Sequence, residues 1–208
     1  MNDRLNKTVD YRELILSADQ RSSECNLPHR FLTYTDEPLQ TAELKRCMML
    51  GVTARSALTF ASKDPMRNAP EICLAASKAL FEAGFEHEVT LGNLVRRGKH
   101  LVSNVSAKAL AEAFHSPDTA ARPNYYCWIT LNDGSIFDFA LLSEVKPPVR
   151  APMQKGRVRP AKAKKPKLSD SVLMLTPTEH GSLYRYVPEI VGNDVLQQLI
   201  SHSAGRSF

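Results

Sequence analysis

Cys73 is the residue whose type and placement point most directly to chemistry. It stands in "NAPEICLAASKALFEAGFEHEVTLGNLVRRG", residues 68–98. Asn68 suits an N-cap, Pro70 a first helical turn and Gly84 a stop. Cys73 therefore falls in the first or second turn of a helix. Amide N–H groups there lack intrahelical partners, and the helix dipole is positive. A thiolate is stabilised in such a place, and the thiolate is the attacking form. The same amides can hold an oxyanion. Glu71 opposes this with a nearby negative charge. A cysteine among Ile, Leu and Ala equally suits a small buried hydrophobe.

The elements that must position Cys73 run helices first and antiparallel strands after. That order predicts an α+β fold, with N-terminal helices and a cysteine-bearing helix packed on an antiparallel sheet. A helix is expected near Val9 to Asp19 and another from Thr41 to Ser62, where Leu44, Met48 and Val52 recur every fourth residue. In the cysteine helix, Ile72, Ala76, Ala79, Leu80 and Ala83 form the expected buried face. A strand should follow around Phe85 to Val95, then a short helix from about Ser106 to Phe114. "YYCWITLNDGSIFDF", residues 125–139, reads as a hairpin. "SVLMLTP" and "LYRYVPEIV" read as further strands with "TEHGS" as the turn between them, and a last helix starts at Asn193 or Asp194.

The segment "ICLAASKALFEAGFEHEVTLGNL", followed by "YCWITLNDGSIFDF", resembles the core of the papain-like and transglutaminase-like cysteine hydrolase superfamily. There a cysteine opens a helix, a strand begins H-x-W, and the next strand carries an orienting acid. The resemblance covers about residues 68–142. It implies Cys73 as nucleophile, Asp138 as orienter and Trp128 as the tryptophan that lines the substrate side. It implies ancestry in hydrolysis or acyl transfer at amide or ester bonds. The sequence departs from the pattern at the base, because Tyr126 stands where histidine is expected. A phenol titrating near pH 10 is a poor base at neutral pH. Three readings stay open: a degenerate fold that binds rather than reacts, an enzyme using His87, His100, His115 or His180 instead, or a fortuitous likeness. Trp128 also suits a sheet-core anchor, and Tyr125, Tyr126, Tyr184 and Tyr186 a cross-strand cluster.

The hairpin's register tests the arrangement. A two-residue Asp133-Gly134 turn puts Cys127 on the face of Asp138. A three-residue Asn132-Asp133-Gly134 loop, with Gly134 left-handed, puts Tyr126, Trp128, Ile136 and Asp138 on one face. Both loops suit the residues. The resemblance favours the second, which sets base position and acid side by side.

The chain of 208 residues is expected to form a single domain with a sizeable core. No apolar run is long enough to span a bilayer, and the polar N-terminus is unlike a secretory signal, so no membrane partner and a cytoplasmic location are expected. The four cysteines are scattered without metal-ligand spacing. No metal or cofactor is expected. The net charge of +5 is concentrated: residues 146–170 carry nine Lys/Arg and one acid. This Pro- and Lys-rich stretch reads as a loop inserted in the domain, extended by self-repulsion. Within it Arg157, Arg159, Lys162, Lys164, Lys165 and Lys167 suit non-specific phosphate contacts with nucleic acid, or simply solvation. No aromatic residue is interleaved for base stacking. The partner otherwise expected is a protein or peptide ligand.

Overall fold

The computed structural model describes residues 10–30, 32–58, 68–96, 98–101, 104–118, 120, 123–141, 172–177 and 184–204. The basic segment, including Arg157, Arg159, Lys162, Lys164, Lys165 and Lys167, lies outside them, as do His180 and the "TEHGS" turn. The elements are α1 (Tyr11–Glu24), α2 (Thr41–Ser56), α3 (Ala69–Glu82), β1 (His87–Arg96), β2 (Lys99–His100), α4 (Ala107–His115), β3 (Tyr126–Leu131), β4 (Ile136–Asp138), β5 (Leu173–Leu175), β6 (Tyr184–Val191) and α5 (Asn193–Ala204). The fold is α+β, with helices packed on an antiparallel sheet. Among the described residues, no helix is long and apolar enough to cross a membrane.

Local chemistry accounts for most of the element ends. The Asp10 side chain accepts from the Arg12 amide at the start of α1. Gln40 and Glu43 form a capping box on α2. Gly84 takes a left-handed φ of 81° just beyond α3. The buried face of α1 is Tyr11, Ile15, Ala18 and Ser22, at helical spacing.

Two helices are turned from their expected faces. In α2 the buried residues are Cys47, Gly51 and Val52, whereas Leu44 and Met48 are half-buried. The absent side chain of Gly51 lets the Phe139 ring come in; a Cβ there would lie 2.2 Å from it. In α3 the buried set is Ala69, Ile72, Cys73, Ala76, Ser77 and Leu80. Cys73 and Ser77 thus join the inward face, and Ala79 lies at its margin.

The strand β1 is central. Its residues Thr90 and Leu91 pair with β3 on one edge and β6 on the other. The order across the sheet is therefore β6-β1-β3-β4-β5, with β2 extending the β3 edge through a short hairpin. All pairings are antiparallel. A β-bulge interrupts β1–β6: Leu91 faces Ile190 and Gly92 faces Pro188. Pro188 has no N–H to give, and a bulge on an outer strand tolerates it. A Cβ on Gly92 would lie 2.2 Å from the Val187 carbonyl oxygen. Arg21 of α1 ties the bulge down by donating to the carbonyls of Glu189 and Pro188. The Glu189 carboxylate then receives the Ala107 amide at the start of α4.

Candidate functional site

The β3–β4 hairpin settles its register through the loop. Ile129 pairs with Phe137 and Thr130 with Ile136. The Leu131 amide donates to Ser135 and the Gly134 amide to Leu131, and Gly134 has a φ of 82°. This is the three-residue loop. Asp133 fixes it by accepting from the Ser135 amide and hydroxyl and from the Leu39 amide. Tyr126, Trp128, Ile136 and Asp138 consequently share a face.

On that face the Asp138 carboxylate is fully enclosed, at 1% exposure. The Tyr126 hydroxyl donates to it, 3.0 and 2.9 Å from its two oxygens. The Tyr186 hydroxyl donates at 2.7 Å, and the Ala140 and Leu141 amides donate at 2.9 and 2.7 Å. Burial raises the Asp138 carboxyl above its ordinary range, and these four donors oppose that rise. Arg55 of α2 is the nearby positive charge; burial lowers its guanidinium pKa while Asp138 and Tyr126 oppose that. Burial, then the Asp138 charge, pushes both phenols well above their ordinary range, so both remain donors.

Trp128 is part of the same packing. Its indole N–H donates to the Tyr11 hydroxyl at 2.7 Å, and Tyr11 meets Thr130, which meets Thr90. Its ring lies edge-on to Tyr186 with centroids 4.9 Å apart. It is 1% exposed, the placement of a core anchor. Tyr126 and Tyr186 do belong to one aromatic group, with Trp128 between them.

Cys73 is buried at 4% exposure in the second turn of α3, against Cys127 of β3. Cys127 follows Tyr126 in an extended strand, so their side chains leave opposite faces. One helical turn beyond Cys73, the Ser77 hydroxyl meets His87 Nε2 at 2.8 Å. His87 pairs with Leu131, on the Cys127 face. Two contacts thus put the Cys73–Ser77 row of α3 on the face that Tyr126 and Asp138 leave. Burial drives the Cys127 thiol well above its ordinary range, with Cys73 adding to it. Tyr125 is likewise raised, by burial first and then by Cys127, Glu71 and Cys73.

Three of the four candidate substitute histidines fall among the described residues, and they are placed elsewhere. Nδ1 of His87 donates to the Phe85 carbonyl, which leaves Nε2 to accept from Ser77. Burial lowers its pKa, so the ring is neutral. His100 is exposed on β2, and His115 reaches the Cys25 carbonyl at 2.9 Å. None of the three hydrogen-bonds to Cys73. Among the described residues no cluster of three or more His, Cys, Asp or Glu is arranged to hold a metal ion.

Sequence reasoning found Tyr126 and Asp138 as neighbours but missed Tyr186 as a second donor and Arg55 as the counter-charge. The period-two pattern of "LYRYV" puts Tyr184 and Tyr186 on one face, yet nothing local says that β6 returns to β1. Comparison with family models, with curated proteins and with solved structures finds no match for the chain.

Proposed function

We propose that the chain is a catalytically silent relative of the papain-like and transglutaminase-like hydrolases, acting by binding rather than turnover. The observation that carries this reading is the state of Asp138. Its carboxylate already receives two phenols and two amides, and among the described residues no imidazole stands between it and a thiol. An orienting acid works through the base it holds. Here the base position holds a phenol raised well above its ordinary pKa, which cannot cycle a proton near neutrality. The acid–phenol pair then serves to lock the sheet face, and Cys73 serves as a packed thiol.

The test is alkylation of the native chain with iodoacetamide at neutral pH, read by peptide mapping. Under this reading Cys73 labels only as fast as the chain unfolds. Rapid labelling confined to Cys73 would overturn it. Tyr126→His is a second probe: an imidazole beside Asp138 stands on the sheet face away from Cys73, so Cys73 labelling should stay as slow as in the native chain, and a raised rate would overturn the packed-thiol reading.

A second reading rests on the charge of residues 146–170, nine Lys/Arg against one acid. That composition fits a polyanion-binding segment whose affinity falls steeply with salt. Retention on heparin that disappears when residues 146–167 are deleted supports it, and unchanged retention removes it.

A further inference from the structure

A second, separate site lies where β1 begins. The loop after α1, the loop after α3, the start of β1 and the start of α5 line a cleft of about 310 Å³ that opens to solvent. Its walls include Arg30, Phe81, Phe85, His87, Glu88 and Asn193. This size is at the small end of the range for ligand pockets.

The feature that calls for a ligand is Glu88. It is 1% exposed, on a strand and inside the fold. Its Oε1 accepts the Arg30 amide at 3.2 Å, whereas its Oε2 is buried with no hydrogen-bond partner among the described residues. A buried carboxylate oxygen without a donor is costly, and such groups mark a missing partner. Around Glu88 stand one guanidinium, Arg30, and two further carboxylates, Asp19 and Asp194. Burial raises the Glu88 carboxyl most, Arg30 opposes that through its amide and its charge, and Asp19 and Asp194 add smaller rises. His87 beside it is neutral, and His29 lies 3.7 Å from Asp19.

The aromatic walls narrow the class further. Phe81 stands at the rim, 57% exposed. The Arg30 guanidinium lies 4.9 Å over its ring centroid, and the Arg46 guanidinium 5.2 Å over that of Phe85. One face of each ring is thus taken by a guanidinium of the chain, and the exposed Phe81 ring keeps its other face for a second flat cation. A planar cation with parallel N–H donors would meet Glu88 with its edge and a phenyl ring with its face.

We propose that the Glu88 cavity is a binding site for an amidinium or guanidinium group, held edge-on by the Glu88 carboxylate and face-on by the exposed Phe81 ring. The proposal goes beyond the reading above and does not depend on it, since it stands whether or not Cys73 reacts.

The test titrates the full chain by calorimetry with benzamidine, and with benzamide as a neutral probe of the same shape. At mildly alkaline pH benzamidine should bind and benzamide should bind at least about tenfold more weakly. Glu88→Gln should weaken benzamidine to the level of benzamide, and Phe81→Ala, an exposed position that leaves the core intact, should weaken it several-fold. N-acetylarginine amide separates the sources of the cation. Binding at least as tight as benzamidine supports an arginine side chain of a peptide, and weaker binding supports a free small molecule. Equal affinity for benzamidine and benzamide, or no binding of either, overturns the proposal. Should Glu88→Gln fail to fold, an undiminished benzamidine affinity in Phe81→Ala, with no amide shift at Phe85 or Glu86, overturns it as well.

Discussion

The Tyr126 hydroxyl bridges both oxygens of the Asp138 carboxylate, at 3.0 and 2.9 Å, inside a sheet face closed to solvent. A single atom of one strand thereby holds the end of the next. Tyr126→Phe removes that donor and leaves the carboxylate with Tyr186 and two amides. The expected loss is about 1–3 kcal/mol of unfolding free energy, with the native fold retained. Urea denaturation measures it, and an unchanged midpoint would mean that the bridge contributes nothing.

Asp138→Ala is expected to be far worse. It strips the acceptor from two buried hydroxyls and two amides at once, and leaves Arg55 without its nearby opposite charge. The cost should be several kcal/mol, enough to unfold a domain of ordinary stability. The variant should be recovered largely insoluble or without a cooperative thermal transition. A well-folded, thermally stable product would contradict the network described here.

Thiol accessibility should rank the cysteines. Cys25 is half-buried, whereas Cys47, Cys73 and Cys127 are buried. Burial pushes the Cys47 thiol up to about 12 and Cys127 well above its ordinary range. A neutral alkylating reagent should therefore label Cys25 first, and the other three together on addition of denaturant. Mass spectrometry of digested samples over a time course reads the order directly.

Gly51→Ala tests the contact that turns α2. Alanine is the better helix former, so propensity alone predicts a gain of about 1 kcal/mol. The added Cβ would fall 2.2 Å from the Phe139 ring. We expect the clash to win, with a net loss on the order of 1–3 kcal/mol. Combining it with Phe139→Leu should recover part of that loss, visible as an upward shift in melting temperature over the single variant.

Glu88 makes stability depend on pH in a definite direction. Burial raises its carboxyl from an ordinary 4.5 to about 7. Between those values the unfolded chain has released the proton and the folded chain keeps it. Stability from this group therefore falls as pH rises through that window and is flat above about 7. The difference amounts to about 3 kcal/mol. The groups facing Glu88 are Arg30, Asp19, Asp194, His29 and His87, and they are common to wild type and Glu88→Gln. Unfolding free energies of the two chains should be similar at acid pH and diverge towards pH 7, with the glutamine variant the more stable. Parallel pH profiles would show that Glu88 titrates normally.

Much of this arrangement was legible before any coordinates. Helix punctuation at Asn68, Pro70 and Gly84 located α3, because caps and stops are local chemistry. Asp133-Gly134 marked the hairpin, but the residues alone suited two loops that send Cys127 and Tyr126 to opposite faces. The choice between them was made by contacts from Leu39 and the Ser135 side chain, which lie outside the turn's own preferences. The face of α3 was misjudged by one row, because Ser77 and Cys73 count as polar or neutral in a hydrophobic pattern yet find His87 and Cys127. Glu88 was invisible as a buried acid, since a glutamate in a strand ordinarily points to water. No local signal tells that its neighbours would close over it.

The central position of β1 has a consequence for synthesis of the protein. β3 can cover one edge of β1 soon after it emerges, but the other edge waits for Tyr184 to Val191. Until then a nascent chain presents a ten-residue strand with open hydrogen-bonding groups to its surroundings. Such an edge invites pairing between neighbouring chains on one polysome. Premature termination anywhere between β5 and β6 should therefore yield a sticky product that depends on chaperones, rather than a smaller folded one.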